Sequence, residues 1–310
     1  MVEHSMVELV LEPFVDAVQA AFPGIVGEGF QASENFHQGY IADKPGTVPG
    51  AIKATVPGVY WAFTVQPVYG WGNSGELQQS TAGWLAALPV FEPHWQVMMA
   101  HGLANGYVQW GEHTRIELNN APFYAEKNWG FGFPKKWAWI QCNTFAGEPN
   151  LAVTCAAAVR TLLNLPGVTE EVGMIGVHFN GRFIELAPWT SRVRWDIEAW
   201  GRWQLWAKDD EYEALVEATC GADDGAILRA PLGSEGFAPA CKDTFAGALQ
   251  PTLDWAVPAR CTCWIGRHAK LRCLQMMVFR CADTLMRCRG VPDAHLGAGR
   301  HWHPQGRARR

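Results

Sequence analysis

The sequence lacks any apolar run long enough to cross a membrane as a helix. No stretch reaches about 18 residues without a charged side chain, which is the length such a helix requires. The first twenty residues contain four carboxylates but no lysine or arginine. Because secretory signals and transit peptides carry basic residues near their start, we expect neither at this terminus.

The common signatures of cofactor-dependent and nucleophilic enzymes are also missing. There is no Walker loop, no G-x-G-x-x-G after a strand, no G-x-S-x-G and no H-E-x-x-H. The cysteines and histidines of residues 256–310 match no standard zinc-binding spacing. A net charge of −5 argues against a general nucleic-acid binder. We therefore expect no cofactor, no metal and no nucleic-acid partner.

Tryptophan, glycine and proline are abundant. The 310 residues include 16 tryptophans against six tyrosines, together with 32 glycines and 19 prolines. Glycine and proline punctuate short segments, and tryptophan lines broad apolar surfaces. This combination favours a mainly β architecture around an aromatic cavity.

Short stretches with a period of two predict antiparallel strands joined by tight turns. The clearest turn is Asn180-Gly181, which predicts a type I′ hairpin with His178 directly across from Phe183. Another hairpin is predicted to join 107–110 to 115–118, and a turn is predicted at 208–211. Residues 6–22 have helical spacing, whereas 40–58, rich in proline and glycine, predict a loop. The strand spacing suggests a barrel or a sandwich.

The last 55 residues differ in kind from the rest of the chain. Residues 256–310 hold ten arginines and one lysine against two aspartates, and five of the nine cysteines. We expect this segment to be irregular and disordered, with no strands. The predicted division is therefore an N-terminal segment at 1–27, a β-region at 28–255 and a basic tail at 256–310.

Three polar clusters lie among aromatic residues, and each could supply an acid. A carboxyl group packed against indole rings rises in pKa and stays protonated, and the ring faces stabilise a cation formed by that proton. The clusters are centred on Glu92 and His94, on Glu126, Lys127 and Asn128, and on Lys242 and Asp243. Each cluster also has an ordinary interpretation: a turn cap for His94, a solvated ion pair for the glutamate and lysine, and a surface pair for the lysine and aspartate. His178, outside the clusters, has the ordinary interpretation of a core histidine.

Several collinear motifs together resemble the tocopherol cyclase family. They include Tyr-Gly-Trp-Gly at 69–72, Pro-Val-Phe-Glu-Pro-His-Trp-Gln at 89–96, Glu-Lys-Asn-Trp-Gly at 126–130, Gly-Phe-Pro-Lys-Lys-Trp at 132–137, and Ala-Pro-Ala-Cys-Lys-Asp at 238–243. The resemblance covers about 28–254. It implies a lipocalin-like antiparallel β-barrel from a double-barrel group that includes carotenoid hydratases, and a plastid enzyme that closes the chromanol ring of vitamin E. The expected substrate is a phytyl-benzoquinol, and peripheral contact with plastid lipid bodies (plastoglobules) is expected.

The resemblance also suggests roles for individual residues. Glu126 is the expected proton donor, oriented by Lys127 and Asn128; related proteins often have histidine where Lys127 stands. Glu92 and His94 form the competing acid–base pair. The expected substrate contacts are Trp71, Trp95, Trp129, Trp137, Trp139, His178 and Asp243.

Alternative functions remain open from the sequence. The same fold and cavity would suit a non-catalytic prenyl-lipid carrier or an enzyme that hydrates an alkene, and a tryptophan-rich β-module could bind carbohydrate. Relative to the family pattern, we expect this chain to lack an N-terminal barrel segment, a transit peptide and the strands that finish the second barrel. An unclosed barrel would expose strand edges, so an inactive fragment of the cyclase is a further alternative.

Overall fold

The structure of the chain is a computed structural model. It describes residues 28–33, 35–41, 44–46, 54–88, 94–111, 114–130, 133–134, 136–161, 167–197, 200–231, 237–255 and 277–281. The predicted helix at 6–22, the residue Glu92 and most of the basic tail lie outside these ranges.

The described residues form eighteen β-strands and one short 3-10 helix, η1, at Gly83–Ala87. The strands are β1 (Glu28–Ala32), β2 (Phe36–Ile41), β3 (Lys44–Gly46), β4 (Ala54–Val56), β5 (Val59–Tyr69), β6 (His94–Trp110), β7 (Thr114–Trp129), β8 (Lys136–Cys142), β9 (Leu151–Thr161), β10 (Thr169–Phe179), β11 (Arg182–Leu186), β12 (Arg192–Ile197), β13 (Arg202–Lys208), β14 (Tyr212–Thr219), β15 (Ala226–Pro231), β16 (Phe237–Asp243), β17 (Ala248–Trp255) and β18 (Met277–Cys281).

These strands pair into three main antiparallel sheets and one two-stranded ladder. The first sheet has the order β1-β2-β5-β6-β7, and the central sheet β11-β10-β9-β8-β18-β16-β15. The outer sheet has the order β12-β13-β14-β17, and β3 pairs with β4. The mainly β, antiparallel class is thus confirmed. Within the described part of the chain the strand orders are open, and no sheet closes into a barrel.

The local turn chemistry determines several connections as the sequence predicts. Asn180 and Gly181 have φ values of 48° and 82°, the positive values that a type I′ turn requires. The register of β10 and β11 places His178 opposite Phe183, as predicted. The predicted hairpin of 107–110 with 115–118 is also present, at the turn between β6 and β7.

Two predictions about irregular segments were wrong where the structure describes them. The stretch 40–58, predicted as a loop, contains the paired strands β3 and β4. The basic tail, expected to have no strand, contributes β18 to the centre of the central sheet between β8 and β16. Composition alone misled here because strand pairing is a long-range interaction that a short, biased segment can still satisfy.

The central sheet is covered on both faces. One face packs on the outer sheet, where Ile140, Val153 and Ile175 contact a core that includes Trp203 and Leu205. The other face packs on the first sheet. Because successive strand residues point to opposite faces, β9, β10 and β11 each contribute to both cores.

Trp71, in the segment that follows β5, is the centre of the packing between the first sheet and the central sheet. Its ring lies against Gly176, where an added Cβ would come within 2.4 Å of the indole, so glycine is needed for this close approach. The Trp71 Nε1 donates a hydrogen bond of 3.1 Å to Glu185. The His178 ring lies between Tyr69, at 5.2 Å, and Phe183, at 4.3 Å. Trp71 and His178 therefore belong to the contact between the two sheets.

Candidate active site

A cavity of about 630 Å³ lies on the face of the central sheet that meets the first sheet. Its volume falls within the range typical of small-molecule sites. The wall is mostly apolar and includes five tryptophans, from η1, β6, β8 and the segment after β11. Residues of β10 border it on one side and residues of β15 on the other, so the central sheet surrounds much of the cavity.

The floor of the cavity consists of cross-strand rows that pair a large side chain with a small one. Each row takes one residue from β8, one from β9 and one from β10. The alanines of β9 fill little of the space between the indoles of β8 and the side chains of β10, which leaves the floor open. The two rows are Trp139–Ala156–Met174 and Trp137–Ala158–Val172.

Glu126, near the end of β7, presents its carboxylate to this cavity. Its Oε2 accepts hydrogen bonds from the Trp95 Nε1 and the Tyr124 hydroxyl, each at 2.7 Å. Its Oε1 accepts a hydrogen bond of 2.9 Å from the Asn128 Nδ2. Because Oε2 already receives two donors, Oε1 is the oxygen with room for a titrating proton.

Burial raises the pKa of the Glu126 carboxyl above its ordinary value. The hydrogen bonds from Tyr124, Trp95 and Asn128 favour the ionised form and oppose this rise, as does the nearby indole of Trp139, but the loss of solvent outweighs them. Glu126 therefore keeps its proton at pH values where an exposed glutamate has lost it. The carboxyl is an acid held in a fixed orientation at the wall of an apolar cavity.

The residues that alternate with Glu126 and Asn128 lie on the other face of β7. Trp129 is 47% exposed and stacks on His94 with ring centroids 5.1 Å apart. The Lys127 Nζ lies 5.8 Å from the centre of the Trp129 ring. The structure therefore does not bring Lys127, His94 or Trp129 to the cavity, because neighbouring strand residues face opposite ways.

The remaining predicted contacts divide between the wall and the interior. Trp95, Trp137 and Trp139 line the cavity, as does Asn128. Trp71 and His178 lie in the packing between the sheets, and burial lowers the pKa of His178 to about 4. Asp243 is buried at the end of β16 and is not part of the wall. Those three residues are therefore placed away from the cavity, contrary to expectation.

The structure adds residues that the sequence did not single out. Tyr124 precedes Glu126 by two positions and so shares its face, a signal that strand alternation offers. Arg160 and Glu170 border the cavity on β9 and β10, beyond the two rows of the floor. The small residues Ala156 and Ala158 create the space, but an alanine in a sequence does not reveal what it leaves empty.

The described residues contain neither a membrane-spanning helix nor a cluster of metal-ligand residues. No helix there has the length and apolar character needed to cross a membrane. Among the same residues, no three or more His, Cys, Asp or Glu side chains are grouped as metal ligands would be.

Comparisons with known proteins identify the family of the chain. A family model described as tocopherol cyclase-like matches residues 8–268. The chain is 45% identical over 232 residues to a protein named probable tocopherol cyclase, chloroplastic, from Oryza sativa subsp. japonica, covering 74% of this chain and 48% of that protein. It is 46% identical over 229 residues to tocopherol cyclase, chloroplastic, from Zea mays, covering 73% and 47%. The chain thus spans about half the length of these relatives. It belongs to the tocopherol cyclase-like family.

Proposed function

We propose that the cavity binds a phytyl-benzoquinol and that Glu126 starts its cyclisation to a chromanol by protonating the alkene of the side chain. The observation that carries this proposal is a carboxyl group of raised pKa, held by three donors, on the wall of an indole-lined cavity. A carboxyl group that apolar surroundings keep protonated has its proton available for transfer to carbon.

The reaction balances with this one acid. The Glu126 proton adds to the less substituted alkene carbon, and a tertiary cation forms at the other carbon. A lone pair of the adjacent phenolic oxygen then forms the new C–O bond, and the phenolic proton leaves for the Glu126 carboxylate. Substrate and product are isomers, and the acid is regenerated. The ring faces of Trp95 and Trp139, beside Glu126, are suited to stabilise the cation.

The relatives support this reaction and its location. Both are named tocopherol cyclases and chloroplastic. An enzyme of the cyclase or isomerase type, working in the plastid in vitamin E formation, is therefore the function we propose for this chain. The chain covers less than half of each relative, so the activity must be measured on this chain itself.

Incubation of the purified chain with a reduced phytyl-benzoquinol tests the proposal. We expect a chromanol formed as one epimer at the new ring carbon, because closure in a chiral cavity favours one configuration there, whereas cyclisation by acid in solution gives both. Retention of unchanged quinol would instead identify a carrier. An acyclic alcohol whose oxygen comes from labelled water would identify a hydratase. Either result would overturn the cyclase proposal.

The rate of cyclisation should fall as pH rises through the pKa of Glu126. The protonated form is the reactive one, and burial extends that form to higher pH than an exposed glutamate allows. We therefore expect a plateau at low pH and a single decline on the alkaline side, measured as kcat/KM. A rate that increased with pH through this range would contradict the role of Glu126 as the acid.

Contact with a lipid surface is a second part of the proposal. A substrate with a long hydrocarbon tail partitions into lipid, so the protein must take it from there. Trp84 and Phe133, at the cavity wall, are 62% and 36% exposed. We expect the chain to float with phosphatidylcholine vesicles and Trp84→Ser to reduce the bound fraction several-fold. Trp110→Ser, at an exposed indole that does not border the cavity, should leave it unchanged. Equal effects of both substitutions would contradict a lipid-binding rim.

A further inference from the structure

An ion pair lies on the wall of the cavity apart from Glu126. Arg160 on β9 and Glu170 on β10 are direct cross-strand partners, and the Arg160 Nε lies 2.6 Å from the Glu170 Oε1. Their side chains are 16% and 30% exposed. Both border the same cavity as Glu126, which is otherwise mostly apolar. A charged pair on such a wall offers a donor and an acceptor at one point.

The ion pair forms the next row of the cavity floor. Ala156, Ala158 and Arg160 share one face of β9, because strand side chains alternate. Arg160 is four positions beyond Ala156 along the strand, which corresponds to about 13 Å between their Cα atoms. The row of Ala156 also contains Trp139, whose ring lies 5.4 Å from that of Tyr124. Glu126 therefore lies beside the first row, which contains Trp139 and Ala156. The ion pair is the third row, beyond the row of Ala158.

The reaction fixes how a quinol ring must lie between these two points. The alkene and the attacking hydroxyl are neighbours on the substrate, so both must be near Glu126. The second hydroxyl of a para-quinol is on the opposite side of the ring, so a ring that lies along the alanine floor with its reacting side at Glu126 would present this hydroxyl to the ion pair. Arg160 and Glu170 border the same cavity.

Resting on the proposed function, we propose that Arg160 and Glu170 bind the second hydroxyl of the quinol and thereby position the ring relative to Glu126. The Glu170 carboxylate accepts the hydroxyl hydrogen, and the Arg160 guanidinium donates to the hydroxyl oxygen. A quinone carbonyl can accept from Arg160 but has no hydrogen for Glu170. The pair therefore acts as a specificity determinant that selects the reduced ring over the oxidised one.

The test replaces both partners together, as Arg160→Met with Glu170→Leu, so that no charge remains unpaired on the wall. Binding is measured by quenching of the cavity tryptophans with two probes. One is the phytyl-benzoquinol, and the other is its analogue with hydrogen in place of the second hydroxyl. We expect the variant to bind the quinol at least about tenfold more weakly, as the loss of hydrogen bonds to charged groups predicts. Its affinity for the analogue should change less than twofold.

A matched control comes from a second cross-strand ion pair. Lys208 and Glu213 join β13 to β14 in the outer sheet at 2.7 Å and do not border the cavity. Lys208→Met with Glu213→Leu should leave both affinities unchanged. Arg229, on β15, is the other cationic side chain among the described lining residues, and Arg229→Met tests it as a rival anchor. If Arg229→Met lost affinity for the quinol but not for the analogue, and the double variant lost neither, the assignment to Arg160 and Glu170 would be overturned.

The same proteins assayed for turnover separate this inference from the proposed function. If the wild-type chain forms chromanol and the double variant shows a raised KM for the quinol alone, with kcat little changed, both stand. If the wild-type chain binds quinol selectively through the pair yet forms no chromanol, the pair's role stands and the cyclase proposal fails. Equal loss of affinity for both probes would mean that the pair only supports the fold and would overturn the inference.

Discussion

Glu126→Gln is expected to reduce chromanol formation by at least about a hundredfold, the lower range for loss of a general acid. The amide is nearly isosteric, and its oxygen can still accept hydrogen bonds from the Trp95 Nε1 and the Tyr124 hydroxyl. It cannot supply a proton to carbon. Single-turnover assays with saturating quinol measure the loss directly, because they separate chemistry from product release.

The same substitution should not destabilise the protein. Burial raises the pKa of Glu126, so the folded chain binds its proton more tightly than the unfolded chain does. Stability from this group is therefore present at low pH and lost as pH rises through the raised pKa. Glutamine carries no charge to desolvate, so urea denaturation should show the variant gaining relative to wild type as pH increases.

Glu117→Gln is the matched control for both measurements. Glu117 lies on the same strand, β7, with an exposed side chain that pairs with Arg115. We expect it to leave turnover and its pH dependence unchanged. If Glu126→Gln turned over normally, or lost activity only together with its folded structure, Glu126 would not be the acid.

The sequence predicted those features that depend on neighbouring residues. The Asn180-Gly181 turn follows from the positive φ angles that both positions must adopt, and it determines the register of β10 with β11. The prediction of Glu126 as a cavity acid drew on a resemblance across the chain. The alternation of faces then assigns Tyr124 and Asn128 to the same side as Glu126.

Some site predictions conflicted with the strand geometry itself. Glu126 and Lys127 are adjacent on β7, so they cannot both face the cavity in a regular strand. Other errors needed three-dimensional information. Whether a tryptophan lines a cavity or packs between sheets depends on its partner, and Trp71 is in the core because Gly176 lies on the opposite sheet. The pairing of β6 with β7 also relates His94 to Glu126: His94 pairs with Trp129 and Val97 pairs with Glu126 in one unbroken register, so His94 lies on the face opposite to Glu126.

Ala158→Phe should abolish most quinol binding while leaving the fold as stable as wild type or more so. The Ala158 side chain lies on the open floor between Trp137 and Val172, where the quinol ring is expected to bind. A phenyl group there would occupy that space and fill an apolar cavity, which commonly adds about 0.5–2 kcal/mol of stability. We expect KM for the quinol to rise at least about fiftyfold, the effect of direct steric exclusion.

Val159→Phe provides the comparison, because Val159 is the next residue on β9 and is absent from the described cavity wall. An equally large side chain on that face should leave substrate affinity unchanged, whatever it does to stability. A loss of activity in Ala158→Phe without a loss of stability would indicate a blocked site. A damaged fold would lower both activity and stability. If Ala158→Phe retained normal KM and kcat, the reacting ring would have to bind outside this cavity, and the proximity of Glu126 to the alanine floor would have no catalytic meaning.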